Sequence, residues 1–229
     1  MTMRVESQAE VERDIAAVAE YWGKRRLGWL DRAAEEFDAL VAPFTYYDLD
    51  ASNEEIQAVN RYFTEWFLFE RPLRGGLTPL ELYIDQCSSD ADRARLARLR
   101  QVADTQLFAR FAILQKDRSK NRIALRDMAT GSVYSVHDPL ACNQERWQDG
   151  TLAQRIACVD GVWHVVGQAR LYDAAASDGV GPDGPGTMRS EDAGRVPSTV
   201  AMSPYVRLLR DVIGIDGRYT STFRLRAVG

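Results

Sequence analysis

Histidine and cysteine are scarce in this chain of 229 residues, and each scarcity excludes a class of protein. The two histidines are too few for a metal centre unless distant carboxylates join them, and no HxH or HExxH spacing is present. The three cysteines are far apart and never form a CxxC pair, which argues against a disulfide framework and a zinc knuckle. We therefore expect no metal, no cofactor and a reducing, cytoplasmic compartment.

Long apolar runs and a charge excess are also missing. No segment approaches the roughly 18 to 20 apolar residues that a membrane-spanning helix needs, and charges interrupt residues 1–13, where a secretory signal would carry its apolar stretch. A net charge of −4 gives no global attraction to nucleic acid or to an anionic membrane. We expect a soluble protein that does not bind membranes, and the preference for arginine over lysine suggests a bacterial source.

The first hundred residues are patterned as about five helices. Ser52 with Glu55 and Thr78 with Glu81 are capping boxes, in which a hydroxyl and a carboxylate three residues later satisfy free N–H groups at the start of a helix. The helix that follows Ser52 has the heaviest apolar face, so we expect it at the centre of the helical core. Its nearly inaccessible side chains should be Ile56, Val59, Phe63 and Trp66.

From Leu107 the pattern changes to short runs rich in β-forming residues. Five runs are predicted as strands, namely FARFAIL, RIALRDM, SVYSVHD, AQRIACV and VWHVVGQ. The dipeptide Asp160-Gly161 suits a tight hairpin turn between the last two, because glycine accepts positive φ. Five short strands joined in this way favour a curled antiparallel sheet or a small barrel.

These patterns predict an α+β protein organised in four segments. They are a helical region at 1–104, a small antiparallel β domain at 105–172, a flexible loop rich in Gly, Asp and Pro at 173–200, and a C-terminal helix with a possible strand at 201–229.

Two stretches carry a family resemblance: RYFTEWFLFERPLRGGLTPLELYI at residues 61–84, and IALRDMATGSVYSV at residues 123–136. They resemble uncharacterised bacterial proteins that join a helical region to a small β domain. Some of those proteins are related to ones with a SEC-C zinc-binding tail, a motif that is absent from this sequence. The shared features are aromatics, helix caps and glycines, so the resemblance implies an architecture and assigns no catalytic residue.

His137 and Asp138 are the candidate catalytic pair, since an imidazole beside a carboxylate can act as a general base. Neighbouring residues on a strand point to opposite faces, however, and Pro139 indicates that the strand is ending. A turn at the end of the strand is the simpler interpretation. His164 lies beside Trp163 in a predicted strand, where a half-buried, hydrogen-bonded histidine is the ordinary outcome.

Two clusters of basic residues are candidate nucleic-acid contacts. In the run DRARLARLR, Arg93 and Arg100 fall on one flank of the apolar helix face and Arg95 and Arg98 on the other, so they form no single stripe. The predicted hairpin tip is more concentrated, although Asp117 interrupts it and no aromatic side chain lies among its residues to stack on bases. The tip consists of Lys116, Arg118, Lys120 and Arg122.

Three functional hypotheses follow. The first is a non-enzymatic protein that binds an unknown protein partner, because tryptophan and tyrosine are frequent at interfaces. The second is a nucleic-acid-associated protein that uses the basic tip, although the overall acidity leads us to expect no measurable affinity near physiological salt. The third is an enzyme that uses His137 or Asp138. The oligomeric state is left open.

Overall fold

The computed structural model describes residues 5–25, 29–87, 93–174, 202–220 and 223, with side chains in the first helix described from Gln8 onward. The helices are α1 (Val5–Lys24), α2 (Leu30–Val41), α3 (Asn53–Phe69), α4 (Pro79–Gln86), α5 (Arg93–Thr105), α6 (Pro139–Asn143) and α7 (Pro204–Ile213). The strands are β1 (Leu107–Asp117), β2 (Arg122–Asp127), β3 (Val133–His137), β4 (Thr151–Val159), β5 (Val162–Val165) and β6 (Leu171–Asp173). Among the described helices, none combines the length and the apolar composition needed to cross a membrane.

The chain divides into two compact units, each built from separate stretches. The barrel unit comprises Met1–Lys24 and Arg71–Pro182, and therefore holds α1, α4, α5, α6 and the described strands. The helical unit comprises Arg25–Glu70 and Asp183–Gly229, and holds α2, α3 and α7.

Five of the strands close into a barrel in the order β1-β2-β3-β5-β4, because β1 pairs with both β2 and β4. The pair β3–β5 is parallel, and the other pairs in the barrel are antiparallel. The sixth strand, β6, pairs with the first residues of β4. The prediction of a helical region followed by a small barrel is confirmed. The parallel pair, β6 and the short helix α6 are additional, because short or non-local elements leave a weak pattern in the sequence.

Alternating side chains fill the barrel. The inward positions are apolar and nearly inaccessible, and they include Phe111, Ile123, Leu125, Val136, Leu152 and Ile156. Asp160 (φ 50°) and Gly161 (φ 75°) form the predicted tight turn between β4 and β5, where both residues have positive φ. The local pattern therefore sets both the strands and this turn.

Helix α5 packs against the outer face of β4 and is tied to α1 by buried charge. Arg98 Nε lies 2.7 Å from Asp14 Oδ2, and Arg95 Nε lies 3.3 Å from Asp14 Oδ1. Asp14 is only 4% exposed, so Arg95 and Arg98 are engaged in the ion pairs that join α5 to α1. The other flank of the helix, with Arg93 and Arg100, is exposed, as the two-flank pattern predicts.

In the helical unit, α3 begins with the predicted capping box, with Ser52 Oγ accepting from Glu55 N at 3.3 Å and Glu55 Oε2 accepting from Ser52 N at 2.8 Å. Val59 and Trp66 are buried, and Phe63 is half-buried. The prediction of nearly inaccessible side chains is therefore wrong for Phe63, which is only half-buried, and for Ile56, which is 39% exposed. Ile56 lies in the first turn of the helix, where the apolar face has not yet entered the core.

Towards the C-terminus, α7 matches the predicted short helix, and Tyr205 and Ile213 are fully buried in it. Residues 218–220 and 223 adopt turn or helix, so the described part of the possible C-terminal strand is not a strand. Asp173 belongs to β6, and most of the predicted loop at 173–200 lies outside the described residues.

Candidate nucleic-acid interface

The hairpin between β1 and β2 forms the predicted basic tip. Arg118–Lys120 is a 3₁₀ turn, and Asn121 leaves it in the left-handed conformation (φ 52°), which asparagine adopts at low cost. The Asp117 carboxylate accepts bonds from Ser119 Oγ at 2.6 Å and from Lys120 N at 3.2 Å. The bonds from Ser119 and Lys120 hold the pKa of Asp117 below its ordinary value.

Lys116 bonds the loop that follows α6. Its Nζ donates to the Gln144 carbonyl oxygen at 2.8 Å, and burial is the main reason why its pKa is lowered. Between the tip and this loop lies an open depression of about 520 Å³. It is lined by Gln115, Lys116, Asp117, Arg118 and Gln148.

The remaining tip cations point in different directions. Lys120 Nζ lies 3.2 Å from Asp117 Oδ2, and Arg118 Nη1 lies 3.9 Å from Glu145 Oε1, with all these side chains partly or largely exposed. Such pairs are worth little in water, so both cations can exchange their partner for a phosphate. Arg122 already lies on the barrel wall, opposite His137. The four predicted residues are therefore neighbours, but they do not converge on one point.

The predicted catalytic pair is separated by the strand geometry. His137 lies on the outside of the barrel, and its pKa is lowered by burial and then by Arg122. Asp138 is 1% exposed, caps α6 by accepting from Ala141 N at 3.0 Å, and accepts from Arg170 Nη1 at 3.0 Å. Asp138 is thus engaged by the start of α6 and by Arg170, whereas His137 lies on the outer wall of the barrel. The described residues contain no group of three possible metal ligands.

His164 is brought next to His137 by the parallel pairing of β3 and β5, with 6.1 Å between ring centroids. Its Nδ1 lies 2.8 Å from Gln8 Oε1, while Gln8 Nε2 donates to the Val165 carbonyl oxygen at 3.2 Å. Because Gln8 Nε2 is the donor to Val165, Oε1 must accept, and Nδ1 of neutral His164 carries the proton. Burial, followed by the charge of His137, lowers the pKa of His164 to about 4.

The outer wall formed by β2 and β3 is open. The register pairs Arg122 with His137, Ala124 with Ser135, and Arg126 with Val133; these six outward side chains are called the β2–β3 wall below. Arg126, Ser135 and Val133 are exposed, the last by 60%.

The outward side chains of β4 and β5 are covered. On β4, Arg155 and Ala157 are at most 1% exposed beneath α5, and on β5 His164 is fully buried against Gln8 of α1. Thr105 at the end of α5 bonds this helix to β4, because its Oγ1 accepts from Cys158 N at 2.8 Å. Of these walls, the β2–β3 wall is the one that remains available to a ligand.

Charge distinguishes this wall from the rest of an acidic chain. Residues 118–137 contain four cations, Arg118, Lys120, Arg122 and Arg126. Within this stretch the one carboxylate is Asp127, which is 5% exposed and accepts from Ala129 N and Thr130 Oγ1 within its own turn. Asp117 and Glu145, which pair with Lys120 and Arg118, lie outside the stretch. Neither Arg122 nor Arg126 has an ion pair among the described residues. The wall therefore carries two arginines without an ion pair among the described residues, and the adjoining tip adds two cations that are paired with exposed carboxylates.

One feature of the sequence does indicate this surface. Arg122 and Arg126 are four positions apart on one strand and so lie on the same face. At about 3.3 Å per residue their backbones are about 13 Å apart. The importance of Arg126 is evident only once the structure shows which wall is uncovered.

Comparison with known proteins gives no relative: no family model, curated protein or solved structure matches the chain. The resemblance to the helical and β proteins described above therefore stays a prediction.

Proposed function

We propose that the barrel unit binds single-stranded nucleic acid along the β2–β3 wall and the adjoining tip. The observation that carries the proposal is the charge of the wall, where Arg122 and Arg126 have no ion pair among the described residues. At the tip, Arg118 and Lys120 add two cations whose exposed pairs with Glu145 and Asp117 are weak. A strand of phosphates is the common cellular ligand with a matching row of negative charges.

The barrel architecture supports the same ligand by analogy. A five-stranded Greek-key barrel is the framework of the OB fold, whose second and third strands, with the β1–β2 and β4–β5 loops, bind oligonucleotides. Here β2 and β3 form the open wall and the β1–β2 loop is the basic tip. One fold serves many functions, so the barrel supports the ligand only by analogy and the charge of the wall carries the proposal.

The mode of binding follows from the side chains. Tyr134 and Trp163 face the barrel interior, where their rings are 4.7 Å apart, so the wall offers no exposed aromatic ring for base stacking. Arg122 and Arg126 supply the charge, and the lowered pKa of His137 favours its neutral form. We therefore propose electrostatic, sequence-tolerant binding with a dissociation constant on the order of 10 to 100 µM at low salt.

Fluorescence anisotropy with labelled dT12 and U12 tests this proposal. Two to four phosphate contacts should give a slope of about −1.4 to −2.8 in log K against log salt, at about −0.7 per contact for a single strand. The double variant Arg122→Ala, Arg126→Ala should bind at least about tenfold more weakly and flatten the slope by about 1.4.

The matched control is Arg100→Ala, which removes an exposed arginine from α5 in the same unit. It should leave both the affinity and the slope unchanged. Equal loss in the control and the wall variant would show that only net charge matters, and binding that does not depend on salt would refute the wall as a phosphate site. Circular dichroism confirms that each variant is folded.

A further inference from the structure

The helical unit presents a short apolar surface that is not part of the nucleic-acid interface. Tyr46, Tyr47 and Leu49 are 44%, 54% and 103% exposed, within a stretch of only four residues. Large apolar side chains gathered in this way are typical of protein contacts. This surface is called the Tyr46–Asp50 segment below.

The Tyr46–Asp50 segment is held in place from beneath. Phe44 is 3% exposed and packs on Phe223, with 6.2 Å between ring centroids. The backbone forms a 3₁₀ turn in which Tyr46 N and Tyr47 N donate to the carbonyl oxygens of Pro43 and Phe44, each at 3.0 Å. The exposed side chains therefore project from an ordered turn.

Polar contacts fix the segment further. Tyr47 Oη donates to the Asp38 carboxylate, at 2.8 Å from Oδ1 and 2.9 Å from Oδ2, and this bond is the main reason why the pKa of Tyr47 is raised. Asp50 N donates to Asp48 Oδ1 at 3.0 Å. Because these groups are already ordered, a partner loses little conformational entropy in docking on them.

The charge around the segment has one sign. Residues 33–60 contain no lysine, arginine or histidine and seven carboxylates: Glu35, Glu36, Asp38, Asp48, Asp50, Glu54 and Glu55. Asp50 and Glu54 are exposed beside the segment. A nucleic acid or an anionic lipid surface would be repelled here, whereas a basic surface would be attracted.

We infer that the Tyr46–Asp50 segment docks a protein segment in which arginine or lysine alternates with aliphatic side chains. Tyr47 and Leu49 supply the apolar contact, and Asp48 and Asp50 pair with the partner's cations. Aromatic anchors with a charged rim are the usual arrangement of such an interface. This site is independent of the β2–β3 wall, because it lies in the other unit and selects the opposite charge.

The probe is the 12-residue peptide (Arg-Leu-Arg-Gly)3 with blocked ends, titrated into the ¹⁵N-labelled full chain and followed by amide chemical shifts. Two matched peptides replace every arginine by glutamate or every leucine by serine. The arginine–leucine peptide should shift the amides of residues 44–56 in a saturable way. Both matched peptides should bind at least about fivefold more weakly.

Leu49→Ser tests the contact with the least risk to folding, because this side chain is fully exposed. It should weaken the binding of the arginine–leucine peptide by about fivefold. The control Leu140→Ser removes a half-exposed leucine from the barrel unit and should leave this affinity unchanged. Equal binding of the arginine and glutamate peptides, shifts confined to other residues, or an unchanged affinity in Leu49→Ser would overturn the inference. Concentration-dependent shifts of residues 44–56 without peptide would assign the surface to a second copy instead.

Discussion

Buried His164 should make the stability of the barrel unit depend on pH in a range where few carboxylates titrate. Its pKa is about 4 in the folded protein, against an ordinary value of 6.5. As the pH falls below 6.5 the unfolded chain takes up a proton that the folded barrel refuses, so the stabilisation is complete above pH 6.5 and is lost towards pH 4.

The magnitude follows from the two pKa values. With 1.36 kcal/mol per pKa unit, the full difference corresponds to roughly 3 kcal/mol, of which about 2 kcal/mol should be lost by pH 5. Gln8 Oε1 lies against the ring, and His137, Arg122 and Asp160 act on it through their charges. Burial followed by the charge of His137 is the cause of the shift. Asp160 opposes the shift, but its effect is the smallest of these.

Urea unfolding at pH 7.5 and pH 5.0 measures the effect when wild type is compared with His164→Asn. Asparagine can keep the donor that faces Gln8 Oε1 and has no proton to gain. The wild type should lose about 2 kcal/mol more than the variant between the two pH values. A loss of equal size in both proteins would show that the carboxylates, and not His164, cause the dependence. His137→Asn serves as the control for the half-buried neighbouring histidine.

Two further changes test the packing of the units. Gln154 is fully buried between the inward positions Leu152 and Ile156, and neither its Nε2 nor its Oε1 has a partner in the described part of the chain, so Gln154→Met should raise the free energy of unfolding by about 1 to 3 kcal/mol. An unchanged or lower urea midpoint would show that these amide atoms are satisfied in solution. Trp66→Ala should lower stability by about 3 to 5 kcal/mol, since Trp66 is 3% exposed and its ring lies 5.1 Å from Phe37. An unfolding midpoint that does not move in Trp66→Ala would contradict its place in the helical core.

Local signals were sufficient for most of the secondary structure. The capping boxes of α3 and α4 form as predicted, because their bonds join residues three positions apart and need no help from the rest of the fold. The alternation of β1 to β5 likewise predicted the barrel, since an inward apolar set must be buried. The short elements α6 and β6 were not predicted, because five and three residues are too few for a hydrophobic period to be recognised.

The candidate sites depended on contacts between distant parts of the chain. The sequence placed four cations near the β1–β2 turn, but it could not show that Lys116 would donate to the Gln144 carbonyl oxygen. It also could not place His137 beside His164, because the parallel pairing of β3 and β5 joins strands separated by β4.

The sequence by itself determined where helices and strands form, which of their faces are apolar, and which stretches carry charge of one sign, because these properties depend on residues a few positions apart. Only the tertiary structure decided which faces stay uncovered. The β2–β3 wall is open because α5 and α1 cover β4 and β5, and the Tyr46–Asp50 segment is exposed because Phe44 takes the buried position beneath it. Availability to a ligand is a property of packing between distant segments, which no local pattern specifies.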